Sequence, residues 1–483
     1  MKIFLIYSRK KQAESNIPPF GIMYLAAALR ENGYTDIKLF DQAIHSNDLI
    51  VQECFKHRPE LIGLSADSIG YENGVSAIKA IQAKYSGIYY VLGGIHPTIA
   101  PEQSLLETNA NVVVIGEGED TIVELVMAID KGKELRNIKG LGYFEKGNFV
   151  KTKARPFISD LDSLPFPARD LLPMEEYLNV CPDIPMLYPT MTIIASRGCK
   201  GNCIYCQPVV RTLFGNKMRH RSVSNIMEEI IAVNKKYSFN SLYFIDDELL
   251  FNGRDWIEEL CNGFIDNKLN IKWVCQGRVD QVDSHLISIM KRAGLYSMGF
   301  GVESGSQKIL NYMRKGYRAG KIKQAFEICR QHKIITTCNL MVGTPGESYE
   351  TIRESCQMLK TAKPDFVRVS ITTPTPGSDI YYKIKQEDCI NLKHLSEFDR
   401  WAAYPIKLNN FTKEDIQYSI KSLLGIFYRN LLTYLLKPGK ILRHWYLFKV
   451  LLKRYYQIAH NPARFWKDIS FYLTYYWQRK GRD

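Results

Sequence analysis

Thr192-Ile-Ile-Ala-Ser196-Arg-Gly-Cys199-Lys-Gly-Asn-Cys203-Ile-Tyr205-Cys206 runs from a short apolar segment directly into a loop that carries three cysteines in eight residues. The apolar run Thr192–Ser196 predicts a buried strand, and the loop starts where that strand stops. Outward from it, strand-like runs recur at Ser241–Ile245, Lys272–Gln276, Ser297–Val302, Thr336–Val342 and Phe366–Ile371, with helical patterns between them. Six βα units at this spacing predict a partial (β/α)6 barrel over residues 189–390. Such barrels do their chemistry at the carboxyl ends of the strands, which is where the cysteines fall.

Upstream, Ile3–Tyr7, Ile37–Phe40, Leu61–Ser65, Tyr89–Leu92 and Val112–Ile115 alternate with helix-like segments. That rhythm predicts a Rossmann-like, doubly wound parallel α/β domain over residues 1–140. Its strands end in Gly63-Leu-Ser65-Ala66, Gly93-Gly94-Ile-His96-Pro97-Thr98 and Gly116-Glu117-Gly118-Glu119, a rim suited to a ligand. A hairpin turning at Lys146-Gly147-Asn148 and the proline-rich run from Pro156 to Pro189 predict a linker over residues 141–188.

The last stretch, residues 391–483, predicts an appended helical domain. Net charge is +14, and from Phe411 onward fourteen Lys/Arg face only four Asp/Glu, so most of the excess sits there. Aromatic residues such as Trp445, Tyr455, Trp466 and Trp477 are interleaved with it. Two readings stand side by side: a helical lid over the barrel, or a basic amphipathic surface for peripheral membrane contact. Nucleic acid is not expected, since no recognition motif accompanies the charge. The run Leu423–Leu436 is too short to span a bilayer, and eleven cysteines without a secretory signal point to the cytoplasm. With 46% hydrophobic and 24% charged residues, disorder is excluded.

Three thiolates within one turn of chain suit zinc or an iron–sulfur cluster. Zinc needs a fourth ligand, and only Cys181 and His220 are on offer. A cluster held by three cysteines leaves one iron open for chemistry. The other cysteines have no ligand spacing and read as small buried thiols.

The CxxxCxxC spacing after a strand, with Tyr205 before the last cysteine, resembles the signature loop of radical SAM enzymes. The likeness continues through Asp246-Asp247-Glu248, Arg278, Gly299-Phe-Gly301-Val-Glu303-Ser304, Gly343-Thr-Pro345-Gly346-Glu347 and Thr375-Pro376-Gly377. It implies a [4Fe-4S] cluster on Cys199, Cys203 and Cys206. S-adenosyl-L-methionine (SAM) would lie against Tyr205, Asp246, Asp247, Glu303, Ser304, Gly343 and Pro345. Taken singly, the acidic triplet reads as a solvated strand end and Gly343-Thr-Pro345-Gly346 as a turn.

The N-terminal loops resemble the cobalamin-binding domain fused ahead of many such enzymes. The residues implied to contact cobalamin are Pro19, Phe20, Gly21, Tyr24, Ser65, Gly93, Gly94, His96, Gly116, Glu117 and Gly118. No Asp-x-His-x-x-Gly is present, so no histidine ligand to cobalt is expected from that motif; His96 is the one alternative ligand, and its simplest reading is a turn cap or a contact to the corrin tail.

The combined resemblance implies a cobalamin-dependent C-methyltransferase. Reductive cleavage of SAM would give a 5′-deoxyadenosyl radical, a substrate carbon would take methyl from methylcobalamin, and a second SAM would restore the methyl group. A cyclase or other radical rearrangement without methyl transfer, like the anaerobic cyclase of the chlorophyll pathway, is the alternative; a non-catalytic cobalamin-responsive protein is a third. The expected partners are a small, hydrophobic substrate and an electron donor such as flavodoxin or ferredoxin. No catalytic side chain beyond the cluster is singled out.

Overall fold

The structure is a computed structural model that describes residues 1–9, 17–178, 185–206, 209–392, 394–397, 404–408 and 411–435. The chain forms two compact units, Met1–Leu424 and Gly425–Asp483. Of the second, residues 436–483, including Trp445, Tyr455, Trp466 and Trp477, lie outside the described residues, as does Cys181.

The first unit opens with a seven-stranded sheet: β1 (Ile3–Ser8), β2 (Ile37–Asp41), β3 (Leu61–Ala66), β4 (Tyr89–Gly93), β5 (Val112–Val114), β6 (Leu141–Glu145) and β7 (Asn148–Lys151). The spatial order is β2-β1-β3-β4-β5-β6-β7. The first five strands are parallel, and covering helices make them nearly continuous apolar runs; Ile3, Phe4, Leu5 and Ile6 are all essentially solvent-free. The chain leaves β1 for β2 on one side and reaches β3 on the other, which opens a crevice at their carboxyl ends.

The hairpin corrects the expected linker. β6 pairs antiparallel with β5 through Val113↔Gly142, so β6 and β7 extend the sheet instead of connecting domains. β5 is only three residues long, and its outer edge would otherwise expose unpaired backbone groups.

A second, six-stranded sheet contains β8 (Thr190–Ile193), β11 (Ser241–Phe244), β12 (Lys272–Gly277), β13 (Leu295–Glu303), β14 (Ile335–Val342) and β15 (Phe366–Ile371). All its pairings are parallel, in the order β15-β14-β13-β12-β11-β8, with β8 and β15 at the two ends: a partial (β/α)6 barrel. The expected first strand is split. β8 ends at Ile193, and β9 (Ser196–Arg197) instead pairs antiparallel with β10 (Arg219–His220), a ribbon the apolar pattern did not announce.

The boundary expected at residue 391 is also corrected. Ile390 and Ile406 form a β-bridge, Leu395 N–H donates to Glu72 at 3.0 Å, and Phe411, Ile416 and Leu423 are buried within the first unit. The helix Lys413–Leu435 begins against the bare face of Gly343, where a Cβ would meet Ile416 at 3.3 Å.

Candidate functional site

The cysteine loop leaves β9 through Gly198, whose φ of +94° turns the chain sharply at the barrel mouth. Two backbone bonds pin the loop: Ile204 N–H donates to Met313 O at 3.1 Å, and Ile380 N–H donates to Ile204 O at 3.0 Å. All three cysteines are free thiols. A Cβ on Gly201 would stand 3.2 Å from Cys199 Sγ and 3.8 Å from Cys203 Sγ, so glycine keeps the space between these sulfurs clear. Burial pushes the Cys199 thiol up to about 11, which keeps it protonated until a metal displaces the proton. Among the described residues, no three Cys, His, Asp or Glu side chains converge tightly enough for a single metal ion. His220 is exposed and packs on Trp256, so it does not complete a zinc site.

Behind the loop, the Tyr205 hydroxyl donates to Glu303 Oε1 at 3.0 Å. The buried Lys315 ammonium donates to Tyr205 Oη at 3.1 Å and reaches Glu303 Oε1 at 3.4 Å. Burial alone would lower the Lys315 pKa, but Glu303, Tyr317 and Cys203 together outweigh it and the net direction is up. Glu303 sits at the end of β13 with φ +65°, a left-handed conformation held by these contacts. Next to them Arg278 forms a two-point pair with Asp280 at 2.9 and 3.0 Å, and its backbone N–H donates to Glu248 at 3.2 Å. Burial raises Glu248 to about 8 despite Arg278.

The carboxyl ends of both sheets face one cleft of about 1400 Å³, counting its solvent-open part. Its wall takes Phe20, Gly21 and Tyr24 from the helix Phe20–Glu31, together with Ser65, Gly93, Gly94, Gly116, Glu117 and Gly118 from the strand-end loops. The barrel side contributes Ser196, Arg197, Asp246 and Asp247. Pro19 lies in an adjoining pocket with Tyr7 and Arg9. Gly94 is required twice over: its φ is +87°, and a Cβ would come within 2.8 Å of Ala66 N.

Asp246 accepts from Ala195 N–H at 3.1 Å and Ser196 Oγ at 2.6 Å through one oxygen, while its other oxygen is buried without a partner. Burial raises this carboxyl to about 7. Asp247 opens into the cleft, whose low polarity raises it as well.

Several expected contacts have other roles. Glu117 accepts from Arg197 at 2.7 Å, from Arg219 at 2.9 Å and from Ile158 N–H at 2.9 Å, so its carboxylate is already engaged by the ribbon below the cysteine loop. His96 does not line the cleft. It is buried against Tyr71 at 4.1 Å and bonded to Ser68 at 3.1 Å, and burial lowers its pKa to about 4. The Ser304 hydroxyl contacts Ser355 Oγ at 3.3 Å and accepts from Ser306 N–H at 3.1 Å, which braces the turn after β13. Gly343 N–H donates to the buried Glu347 at 2.7 Å, shaping the loop that carries Pro345. Lys315, Arg197 and Arg219 have no mark in the sequence, because single basic residues outside a motif carry no signal there. Among the other cysteines, Cys54, Cys261, Cys275, Cys329 and Cys338 are buried, whereas Cys356 and Cys389 are only partly so.

These residues fit the implied groups. The Cys199 and Cys203 thiols beside the space cleared by Gly201 and faced by Arg278, together with Cys206 on the same loop, would hold an anionic iron–sulfur cluster. The orphaned Asp246 oxygen would accept from an ammonium or a hydroxyl. The glycine-walled cleft would admit a large, flat cofactor between the two sheets.

Residues 193–359 match the Radical SAM superfamily and residues 10–126 match the B12 binding domain. An uncharacterized methyltransferase of Pyrococcus horikoshii is 28% identical over 95% of this chain and 99% of its own length. The anaerobic magnesium-protoporphyrin IX monomethyl ester cyclase of Rubrivivax gelatinosus is 27% identical over 78% of this chain and 68% of its own. The structure of the radical S-adenosylmethionine methyltransferase TsrM from Kitasatospora setae, with cobalamin and a [4Fe-4S] cluster bound, superposes with a TM-score of 0.66 at 17% identity, covering 80% and 75% of the two chains.

Proposed function

We propose that this chain, a radical SAM enzyme that carries a B12 binding domain, transfers a methyl group to an unactivated carbon of a small molecule. The observation that carries this reading is the shared cleft: the root of the cysteine loop and the glycine loops of the first sheet form one wall. In this reading residues 1–140 hold cobalamin, and Cys199, Cys203 and Cys206 on the barrel hold the cluster.

When bound, the cofactors supply one-electron cleavage of SAM and a methyl group carried on cobalt. The chain's own residues do the placing. Asp246 fixes the loop root through Ser196 and keeps one oxygen for SAM. Glu303, oriented by Tyr205 and Lys315, offers a second carboxylate. Glu347 braces the Gly343 loop by accepting from its backbone N–H, and that loop would border the adenine of bound SAM. Leu5, Ile22, Leu64 and Ile122 give the cleft wall an apolar lining that a bound cofactor would cover.

A non-methylating radical cyclase is the second reading, favoured by the similarity to the Rubrivivax cyclase. The substrate is proposed to be hydrophobic, of isoprenoid or tetrapyrrole type, and the reductant a flavodoxin or ferredoxin. Supporting this are the basic, aromatic C-terminal sequence and a relative named for a tetrapyrrole substrate. Peripheral membrane contact follows from the same composition; stronger binding of the full chain to anionic than to neutral liposomes is the expected result. Among the described residues, no helix is long and apolar enough to cross a membrane.

The deciding experiment is anaerobic turnover with SAM, cobalamin and reductant, quantifying 5′-deoxyadenosine and S-adenosylhomocysteine together. Both products, with deoxyadenosine lost in Cys203→Ala, support methyl transfer. Deoxyadenosine alone supports the cyclase-type reading, and neither product from fully loaded protein rejects both.

A further inference from the structure

Arg197 belongs to two structures at once. It is the second residue of β9, one position before the turn at Gly198 and two before Cys199. Its guanidinium points away from the cysteine loop into the first sheet, donating to Glu117 at 2.7 Å and to Glu119 at 2.5 Å. It also lies over the Tyr24 ring, 5.4 Å from its centroid. Arg219, the register partner of Arg197 on β10, closes the same clamp by donating to Glu117 at 2.9 Å. The side chains of Arg197, Glu117 and Glu119 are 11%, 3% and 7% exposed, so these pairs are shielded from water and salt. Arg197, Glu117, Glu119 and Tyr24 are at the same time wall residues of the cleft.

We infer that Arg197 is a positioning residue that couples the two cofactor sites, so that cobalamin in the cleft and the cluster on the loop each favour binding of the other. The inference rests on the cobalamin reading above. A body filling the cleft packs against Tyr24 and the Gly116–Glu119 loop, and this fixes the carboxylates that grip Arg197. Fixing Arg197 fixes the root of the loop that presents Cys199. Seen from the other side, a loop drawn tight around a cluster holds Arg197, and through it the glycine loop, in the shape that receives the corrin. Linkage requires the two effects to be equal in size.

The test is hydroxocobalamin affinity, read by equilibrium dialysis of the full chain with its cluster reconstituted and again after anaerobic removal of iron by a chelator. The expected result is roughly tenfold tighter binding with the cluster present, a typical coupling between sites. Glu117→Gln, which keeps the shape of the side chain but weakens its hold on both arginines, is expected to bring that ratio toward one. Arg197→Lys, which keeps the charge and loses the two-pronged geometry, should lie between them. A clamp that only stabilises the fold would weaken both forms alike and leave the ratio unchanged. A wild-type ratio of one, or an undiminished ratio in both variants, overturns the coupling while leaving the cobalamin reading intact. Absence of hydroxocobalamin binding in both forms overturns both.

Discussion

The Lys315 ammonium lies 3.1 Å from the Tyr205 phenol oxygen and 3.4 Å from Glu303 Oε1, so one buried cation joins the cysteine loop to the end of β13. Lys315→Met would leave the Glu303 carboxyl with the Tyr205 hydroxyl but without its cation, a loss of about 3–5 kcal/mol. Tyr205→Phe removes one hydrogen bond and should cost about 1 kcal/mol. Urea unfolding of the cluster-free proteins checks the order; equal losses would mean that Lys315 does not neutralise Glu303.

Gly94→Ala tests the loop after β4. Gly94 has φ +87° and ψ −165°, a region essentially reserved for glycine, and the added methyl would press on Ala66. The expected loss is about 1–3 kcal/mol from strain, plus the clash and weakened hydroxocobalamin binding. Gly147→Ala at φ +81° has nothing within 4 Å of its Cβ, so it carries the strain without the clash. The difference between the two midpoints in urea measures the close approach together with the added strain of the Gly94 backbone.

His96 should make the first sheet sensitive to acid. Burial holds it at about 4 in the folded protein against an ordinary 6.5, so between those values the unfolded chain binds a proton that the folded one refuses. Stability is therefore complete above pH 6.5 and falls as pH drops toward 4, by up to about 3 kcal/mol. His96→Gln should flatten that slope in unfolding free energy measured from pH 7 to pH 4. An unchanged slope would assign the acid sensitivity elsewhere.

Glu229 is buried between two cations. It accepts from Arg169 at 2.5 Å and from Arg221, and these arginines cap β8 by donating to Thr192 O at 3.0 Å and Ile194 O at 2.9 Å. Glu229→Gln leaves two buried guanidinium groups without their anion, so a loss on the order of 3–5 kcal/mol is expected in thermal or urea unfolding. The neighbouring, exposed Glu228→Gln is the control and should change stability by less than about 0.5 kcal/mol.

Much of this architecture is legible in the sequence, because covering helices turn parallel strands into apolar runs. Phe366–Ile371 is a strand over the very residues the pattern marks, and Thr336–Val342 misses β14 by one residue. The ribbon of Ser196–Arg197 with Arg219–His220 is invisible to such patterns, since it is too short and polar to alternate. The hairpin at Gly147 was legible, but its attachment to β5 was not, because register with a distant strand leaves no local mark. At the site, spacing reveals the cysteines, whereas Lys315 is reached only through packing. Glu117 shows a further limit: a glycine-rich loop suggests a ligand contact, and Glu117 does line the cleft, but nothing local announces that its carboxylate also binds arginines 80 and 102 residues away.

Ile416 reaches across to the bare face of Gly343, inside the loop expected to border the adenine. The downstream helix therefore shares a packing surface with the segment that follows β14. A chimaera joining this barrel to another protein's tail at residue 391 would leave Gly343, Ile371 and Tyr349 facing a foreign side chain. One joined after Leu424 would carry the native plug along with the barrel. Exchange of C-terminal segments between such proteins would thus be expected to respect a junction some thirty residues later than the end of the last strand's βα unit suggests.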